Sequence, residues 1–490
     1  MAAPKYKFQM YKRLQAETQL IYAEAKKAAE TLKMPAELKG AIGLTGAISG
    51  CPAPLREDLE KVIQTESKKV VPLGFYVDQI REIVKDVYGD GYDAAPVSTC
   101  EAGLWVSIDS LMTPPLHGRG DNYRARYILP LERHAHHHGG YGRPVPPKYK
   151  DILADRGSTS GELGFSGKRQ NNLDTIYVPM EGAEYPAHGI KYYTVPLMKN
   201  LKVKESLEAL RSTAKRNETL LSGFASLGYD TPGYGYGDRD ADGTPNLSKG
   251  IAKLAQEYNV PYVIDNAWGL PLVGTSIKKI GADVMIFSVD KAPSFPHGGL
   301  IIGKEEAMIP IRRAMGLHGN RYGTTGSYGK AAYVAFDPGK ESLSGMVAAL
   351  KLLRDNPKNV TKTVDDLYEI VIAEFGKIDS RIKPFFKITK SYNSCAVEIN
   401  YEESWKSGKL GIPIFSIEDM YAGSNLFQDG LTQMGIIPTI AYDANIFISP
   451  GLGTSDNQGQ LVQERAQMVV RGLVILIEIV CQHSGMYEQQ

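Results

Sequence analysis

From Arg126 to Gly303 the chain repeats short apolar runs separated by polar turns: RYILPLE (Arg126 to Glu132), TIYVPM (Thr175 to Met180), TLLSGF (Thr219 to Phe224), PYVIDNA (Pro261 to Ala267), DVMIFSV (Asp283 to Val289) and GLIIG (Gly299 to Gly303). Their shortness and their content of β-branched and aromatic residues predict strands. Between two of them lies NLSKGIAKLAQEYN, apolar at helical spacing and opened by an Asn or Ser cap, which predicts a helix. Strands alternating with helices predict an α/β fold: a mostly parallel sheet with helices on both faces. In such sheets ligands bind beyond the carboxyl ends of the strands.

The flanks differ. Apolar residues at helical spacing predict helices from Tyr11 to about Lys33 and from Val77 to Val87, giving an N-terminal helical region over 1–90. The α/β pattern fills a large domain over 91–335. Beyond about Phe336, long helical patterns (Glu341 to Arg354, then Val360 to Phe375) and the strand-like CAVEINY and NIFIS predict a smaller C-terminal α+β domain over 336–490. The run GLVILIEIV, Gly472 to Val480, is too short for a bilayer crossing, carries Glu478, and is expected to be a buried helix. DRGSTSGELGFSGKRQNN, Asp155 to Asn172, has the length of loops used as lids or oligomer contacts.

Composition narrows the function classes. The 490 residues are 43% hydrophobic and 23% charged, with 56 basic against 55 acidic side chains. This is the composition of a globular protein with a large core. A formal charge of +1 provides no global field to attract nucleic acid or an anionic membrane, and neither is expected as a partner. Cys51, Cys100, Cys395 and Cys481 lack the close spacing of zinc ligands or a disulfide framework. The N-terminal stretch has no apolar core of the secretory type. A cytoplasmic setting is the expectation.

The chemistry-bearing residues cluster at strand ends. IDNAWG places Asp265 at the end of one strand, and SVDK places Ser288 and Lys291 at the end of the next, so a parallel sheet would gather all three at one edge. Such a carboxylate and amine could be a structural ion pair. They also match two needs of pyridoxal phosphate, a lysine for a Schiff base and a carboxylate that keeps the pyridine nitrogen protonated. The third need is a phosphate cup. VSTCEAGLWVSIDSL places Ser98, Thr99 and Cys100 ahead of a helical run, where hydroxyls and free amides receive anions, although Ser-Thr there also serves as an ordinary cap. ERHAHHHGGYG follows another strand end; its imidazoles at alternate positions could ligate a metal, but no Cys or carboxylate partner follows at metal-site spacing.

The ordered set STCEAG, a histidine-bearing strand end, IDNAWG, then SVDK followed by HGG, resembles the fold-type I family of pyridoxal-phosphate enzymes over roughly 90 to 335. The resemblance implies a seven-stranded-type sheet and the cofactor pyridoxal 5'-phosphate. It implies Lys291 as the Schiff-base lysine, Asp265 as the pyridinium partner, Ala267 packed under the ring, and Ser98, Thr99, Cys100 and Ser288 around the phosphate. His134, with His136 second, would stack on the ring, and no metal is implied. RYGTTGSYG is similar to the loop by which one subunit completes its neighbour's phosphate cup, making Thr324 and Thr325 candidates and implying a homodimer or homotetramer. The lysine loop is most similar to the synthases that convert phosphoseryl-tRNA to selenocysteinyl-tRNA, with cysteine desulfurases sharing the broader pattern.

Two departures matter. Phe447 stands where many family members carry the arginine that clamps the substrate's α-carboxylate, leaving Arg119, Arg124, Arg143, Arg313 and Arg321 as alternatives. Cys395, inside an alternating strand pattern, is not the mobile exposed thiol that a desulfurase needs. The resulting expectation is an amino-substrate enzyme catalysing β-elimination or β-replacement as a lyase or transferase, with aminotransfer, decarboxylation and a non-catalytic tRNA-linked scaffold as alternatives. DRDADG, Asp238 to Gly243, imitates the start of a calcium loop, but Lys249 occupies its twelfth position, so a solvated turn is expected.

Overall fold

The computed structural model describes residues 4–5, 7–44, 53–112, 126–131, 181–184, 191–196, 203–219, 221–228, 238–292, 295–316, 336–401, 403–404, 410–414, 422–442 and 445–489. Two compact units emerge. One is built from the described residues between Glu57 and Pro357, the other from those up to Arg56 together with those from Lys358 onward. The expected N-terminal helical region is therefore divided between units, and the expected boundary at 336 falls within the first.

The unit of residues 57–357 is built on an eight-stranded sheet. Its strands are β1 (Tyr92–Val97), β2 (Arg126–Leu131), β3 (Glu181–Glu184), β4 (Lys191–Pro196), β5 (Leu221–Leu227), β6 (Tyr262–Asp265), β7 (Val284–Ser288) and β8 (Gly299–Lys304). Their spatial order is β1-β8-β7-β6-β5-β2-β4-β3. The five central strands β7, β6, β5, β2 and β4 run parallel; β8 is antiparallel to both its neighbours, and β3 to β4. This is the mostly parallel sheet anticipated. β1, β3 and β4 were not among the strands expected from the apolar runs, because YDAAPV, EGAE and KYYTVP are too mixed to stand out. TIYVPM lies outside the described residues.

Strands covered on both faces are mostly apolar, and every residue of β5 and β7 is buried, Ser222, Ser226 and Ser288 included. The covering helices include α1 (Glu57–Ser67), α2 (Gly74–Tyr88), α3 (Cys100–Met112), α4 (Val203–Arg216), α5 (Asn246–Glu257), α6 (Glu305–Ala314) and α7 (Lys340–Asp355). Helix α3 lies close on the sheet because Gly103 meets it: a Cβ there would stand 2.8 Å from Ile286 Cγ2 and 3.3 Å from Ile301 Cγ1. Helix α5 begins after Pro245 without a side-chain cap, contrary to the expected Asn or Ser cap; the Asn246 amide instead donates to Asp238 at 2.9 Å. The turn before it uses its acids internally. Asp240 accepts from the Asp242 and Thr244 amides and from Lys249, and Lys279 pairs with Asp242 at 3.1 Å.

The other unit carries an antiparallel sheet of β9 (Lys387–Ser391), β10 (Ala396–Asn400), β11 (Ile440–Tyr442) and β12 (Asn445–Ile448), in the order β9-β10-β12-β11. Its N-terminal part is two helices, Lys7–Ala16 and Thr18–Ala29, where one was expected; Glu17 interrupts them. The expected C-terminal helix spans Gln463–His483. By length and composition it could cross a membrane, with a mean hydropathy of 1.4 over its most apolar window. Val469, Val470, Leu473, Val474, Leu476 and Ile477 are nevertheless all at 0% exposure inside the unit, where burying each stabilises it by about 2 kcal/mol. It is a core helix here.

Candidate active site

β6 and β7 are parallel neighbours, with Asp265 opposite Ile286, so Asp265 and Ser288 end adjacent strands at the same edge. Main-chain bonds hold this edge: Gly228 N–H donates to Asp265 O at 2.7 Å, Asn266 N–H to Ile286 O at 2.8 Å, and Ser288 N–H to Ala267 O at 3.3 Å. Asn266 is fully buried, and a Cβ on Gly228 or Gly269 would lie within 2.5 Å of its side-chain amide, so both glycines are needed for the strand ends to close around it.

Asp265 is 1% exposed. Its Oδ1 accepts from the Ala267 amide at 3.1 Å and lies 3.9 Å from the Cys100 thiol. Burial pushes the Cys100 thiol well above its ordinary value; the Asp265 carboxylate adds to this, and the Lys291 amine opposes it. The first residue of α3 and the end of β6 therefore meet here. Cys100 is a neutral thiol there, not a thiolate.

The start of α3 is a closely fitted corner. Thr99 Oγ1 accepts from the Ala102 amide at 3.0 Å, which is a helix cap. A Cβ on Gly299 would stand 2.5 Å from the Thr99 carbonyl group, so only glycine allows β8 to begin against this turn. Ser98 N–H donates to Phe336 O at 2.7 Å, and Phe336 packs its ring on Trp105. First-turn amides of a helix have no acceptor within it and receive anions.

Lys291 closes the 3₁₀ turn Val289–Lys291 that follows β7. Its Nζ lies 5.3 Å from the centroid of the Trp268 ring, a cation–π contact. Ser288, 2% exposed, donates its hydroxyl to Asp290 Oδ1 at 2.5 Å. His297 Nδ1 lies 2.9 Å from Asp290 Oδ2.

Ser98, Thr99, Cys100, Asp265, Ala267, Ser288 and Lys291 thus share one edge of the sheet. His134, His136, Thr324 and Thr325 lie outside the described residues, as do Arg119, Arg124, Arg143 and Arg321. Sequence reasoning missed Asn266, Trp268, Asp290 and His297. The HGG beside SVDK was the available signal for the last two. Phe447 is 5% exposed on β12, opposite Glu398. Cys395 is buried and its thiol is pushed to about 12 by burial. Among the described residues no group of three or more His, Cys, Asp or Glu gathers for a metal. The donor set at the strand ends suits pyridoxal phosphate: a buried carboxylate, an amine on the adjoining turn, the small Ala267 just beyond β6, and a helix N-terminus held close by Gly299.

No family model matches the chain. Among solved structures it is similar to the SepCysS chain of a complex with the SepCysE N-terminal domain, at 12% identity over 90% of this chain and 96% of that one, with a TM-score of 0.49. It is similar to D-glucosaminate-6-phosphate ammonia-lyase at 13% identity, covering 89% and 96%, with a TM-score of 0.46. Alanine–glyoxylate aminotransferase from Nostoc sp. matches at 12% identity, 90% and 96% coverage and a TM-score of 0.48.

Proposed function

We propose that this chain is a pyridoxal-phosphate enzyme acting on an amino-acid-derived substrate, most directly by elimination or replacement at Cβ. The observation that carries the reading is the placement of a 1%-exposed carboxylate, Asp265, and the Lys291 turn at the ends of two adjacent parallel strands. When bound, the cofactor's cationic ring supplies an electron sink for negative charge at the substrate Cα.

The chain's own residues do the rest. Asp265 places its carboxyl group in a dry strand end, where it would pair with the pyridine nitrogen of the cofactor. Lys291 would hold the cofactor through its amine and would be the group that moves the proton at the substrate Cα. The Thr99 cap and the first turn of α3 present amides to a phosphate, and Ala267 leaves room for a flat ring. Thr324 and Thr325, in the loop that resembles a neighbour's contribution, would complete the cup in a homodimer. Cys100, Cys395 and Cys481 are buried neutral thiols, so none of these three serves as a sulfur acceptor.

Purified chain supplied with pyridoxal phosphate, reduced with borohydride and mapped by mass spectrometry should carry the adduct on Lys291; Lys291→Ala should carry none. An unmodified Lys291 would overturn the proposal. Scoring ammonia, keto acid, carbon dioxide and sulfide from an amino-acid panel then separates β-elimination from aminotransfer and decarboxylation.

A further inference from the structure

We propose that Asp290 is a positioning residue: it sets the direction in which Lys291 leaves the strand end, and His297 holds it in place. The inference rests on reading Lys291 as the reactive amine. A carboxylate at 1% exposure is costly unless its oxygens are bonded, and both oxygens of Asp290 are. Oδ1 accepts from the Ser288 hydroxyl at 2.5 Å, and Oδ2 lies 2.9 Å from His297 Nδ1.

These partners stand on opposite arms of the lysine loop. Ser288 ends β7, and His297 stands two residues before β8 begins. One carboxylate therefore ties the outgoing arm to the returning one, and it belongs to the residue bonded directly to Lys291. A main-chain bond runs beside it, from Val289 N–H to Gly298 O at 2.8 Å. Helix α7 braces the returning arm. Ser342 donates its hydroxyl to His297 O, and a Cβ on Gly298, at φ +158°, would stand 2.8 Å from Met346 Cε.

Neighbouring side chains in a 3₁₀ turn diverge by about 120°. Anchoring Asp290 at two points thus fixes the azimuth at which Lys291 projects, toward the ring of Trp268. The carboxylate also reaches the site electrostatically, since it is among the charges raising the Cys100 thiol. His297 is half exposed, so its replacement leaves the core intact.

The test compares His297→Leu, Asp290→Asn and His297→Asn, the last keeping an N–H donor within reach of Asp290. Lys291 in the cofactor-free chain is acetylated with trace acetic anhydride and its rate is normalised to the other lysines by mass spectrometry. The borohydride-trapped adduct is measured in parallel. His297→Leu and Asp290→Asn should each shift the relative rate of Lys291 by about tenfold and cut the adduct by a similar factor, with His297→Asn close to the parent. An unchanged Lys291 rate in folded His297→Leu and Asp290→Asn, even with lower thermal stability, would make the clamp merely structural and overturn the proposal. If the parent forms no adduct, the cofactor reading fails while the acetylation contrast still decides the role of Asp290.

Discussion

Gly299→Ala probes how closely the sheet edge and the start of α3 are fitted. The new Cβ would stand 2.5 Å from both the carbonyl carbon and oxygen of Thr99 and 2.8 Å from the Cys100 nitrogen. These are main-chain atoms, so no rotamer change relieves the overlap. Ordinary contact begins near ~3.5 Å, which leaves roughly 1 Å to be recovered by movement. Gly299 is paired with Val97 on one side and Ser288 on the other, so the strand is held and the 98–100 turn must give way. Overpacking of this kind costs about 1–3 kcal/mol, which in a unit of this size lowers the melting midpoint by roughly 2–10 °C. Displacing an anion-binding turn by ~1 Å should weaken uptake of pyridoxal phosphate by up to about a hundredfold. The control is Gly339→Ala, where a Cβ meets only Glu341 Oε2 at 3.6 Å and the change should stay within about 0.5 kcal/mol. Urea unfolding and an absorbance titration with the cofactor measure both effects. A Gly299→Ala chain that matches Gly339→Ala in both would refute the close-packed corner.

Three further outcomes are expected. Asp93, 2% exposed, is held by Arg81 at 2.7 Å and Arg312 at 2.9 Å. Either arginine changed to Met should cost about 1–2 kcal/mol and the double change more than their sum, because only the double leaves the carboxylate unpaired; strict additivity in urea unfolding would refute this. Burial pushes Asp337 from 3.8 up to about 6, so the native chain keeps a proton that the unfolded chain has released, and stability falls as pH rises through that window. Asp337→Asn should therefore gain about 1 kcal/mol over the parent above pH 6 and nothing below about pH 4, allowing for partial exposure; a pH-independent difference in urea midpoints would contradict it. Iodoacetamide at pH 8 should leave Cys100, Cys395 and Cys481 unmodified in the native chain and alkylate all three in urea, read by peptide mapping.

The parallel core was legible because strands buried on both faces are written as apolar runs. PYVIDNA, DVMIFSV and GLIIG could hardly be anything else, and their polar ends named Asp265, Ser288 and Lys291. β1 was hidden because YDAAPV buries its polar Asp93 under two arginines, a pairing that only distant chain segments supply. The unit boundaries were hidden for a related reason. The segment before Arg56 joins residues more than 350 positions away, through bonds such as Gly43 N–H to Leu452 O and His483 to Glu17, and composition carries no trace of that.

The sequence by itself determined which residue types stand at the strand ends, because alternating burial and turn chemistry are local properties written at fixed spacing. Only the tertiary structure decided what those residues do to one another. Asp290 reads as an ordinary polar neighbour of a lysine until the return of β8 brings His297 against it. Gly299 reads as an ordinary strand start until the first turn of α3 is laid across its Cα. Hydrogen bonds and excluded volume depend on distances between segments, and those distances exist only once the chain has closed.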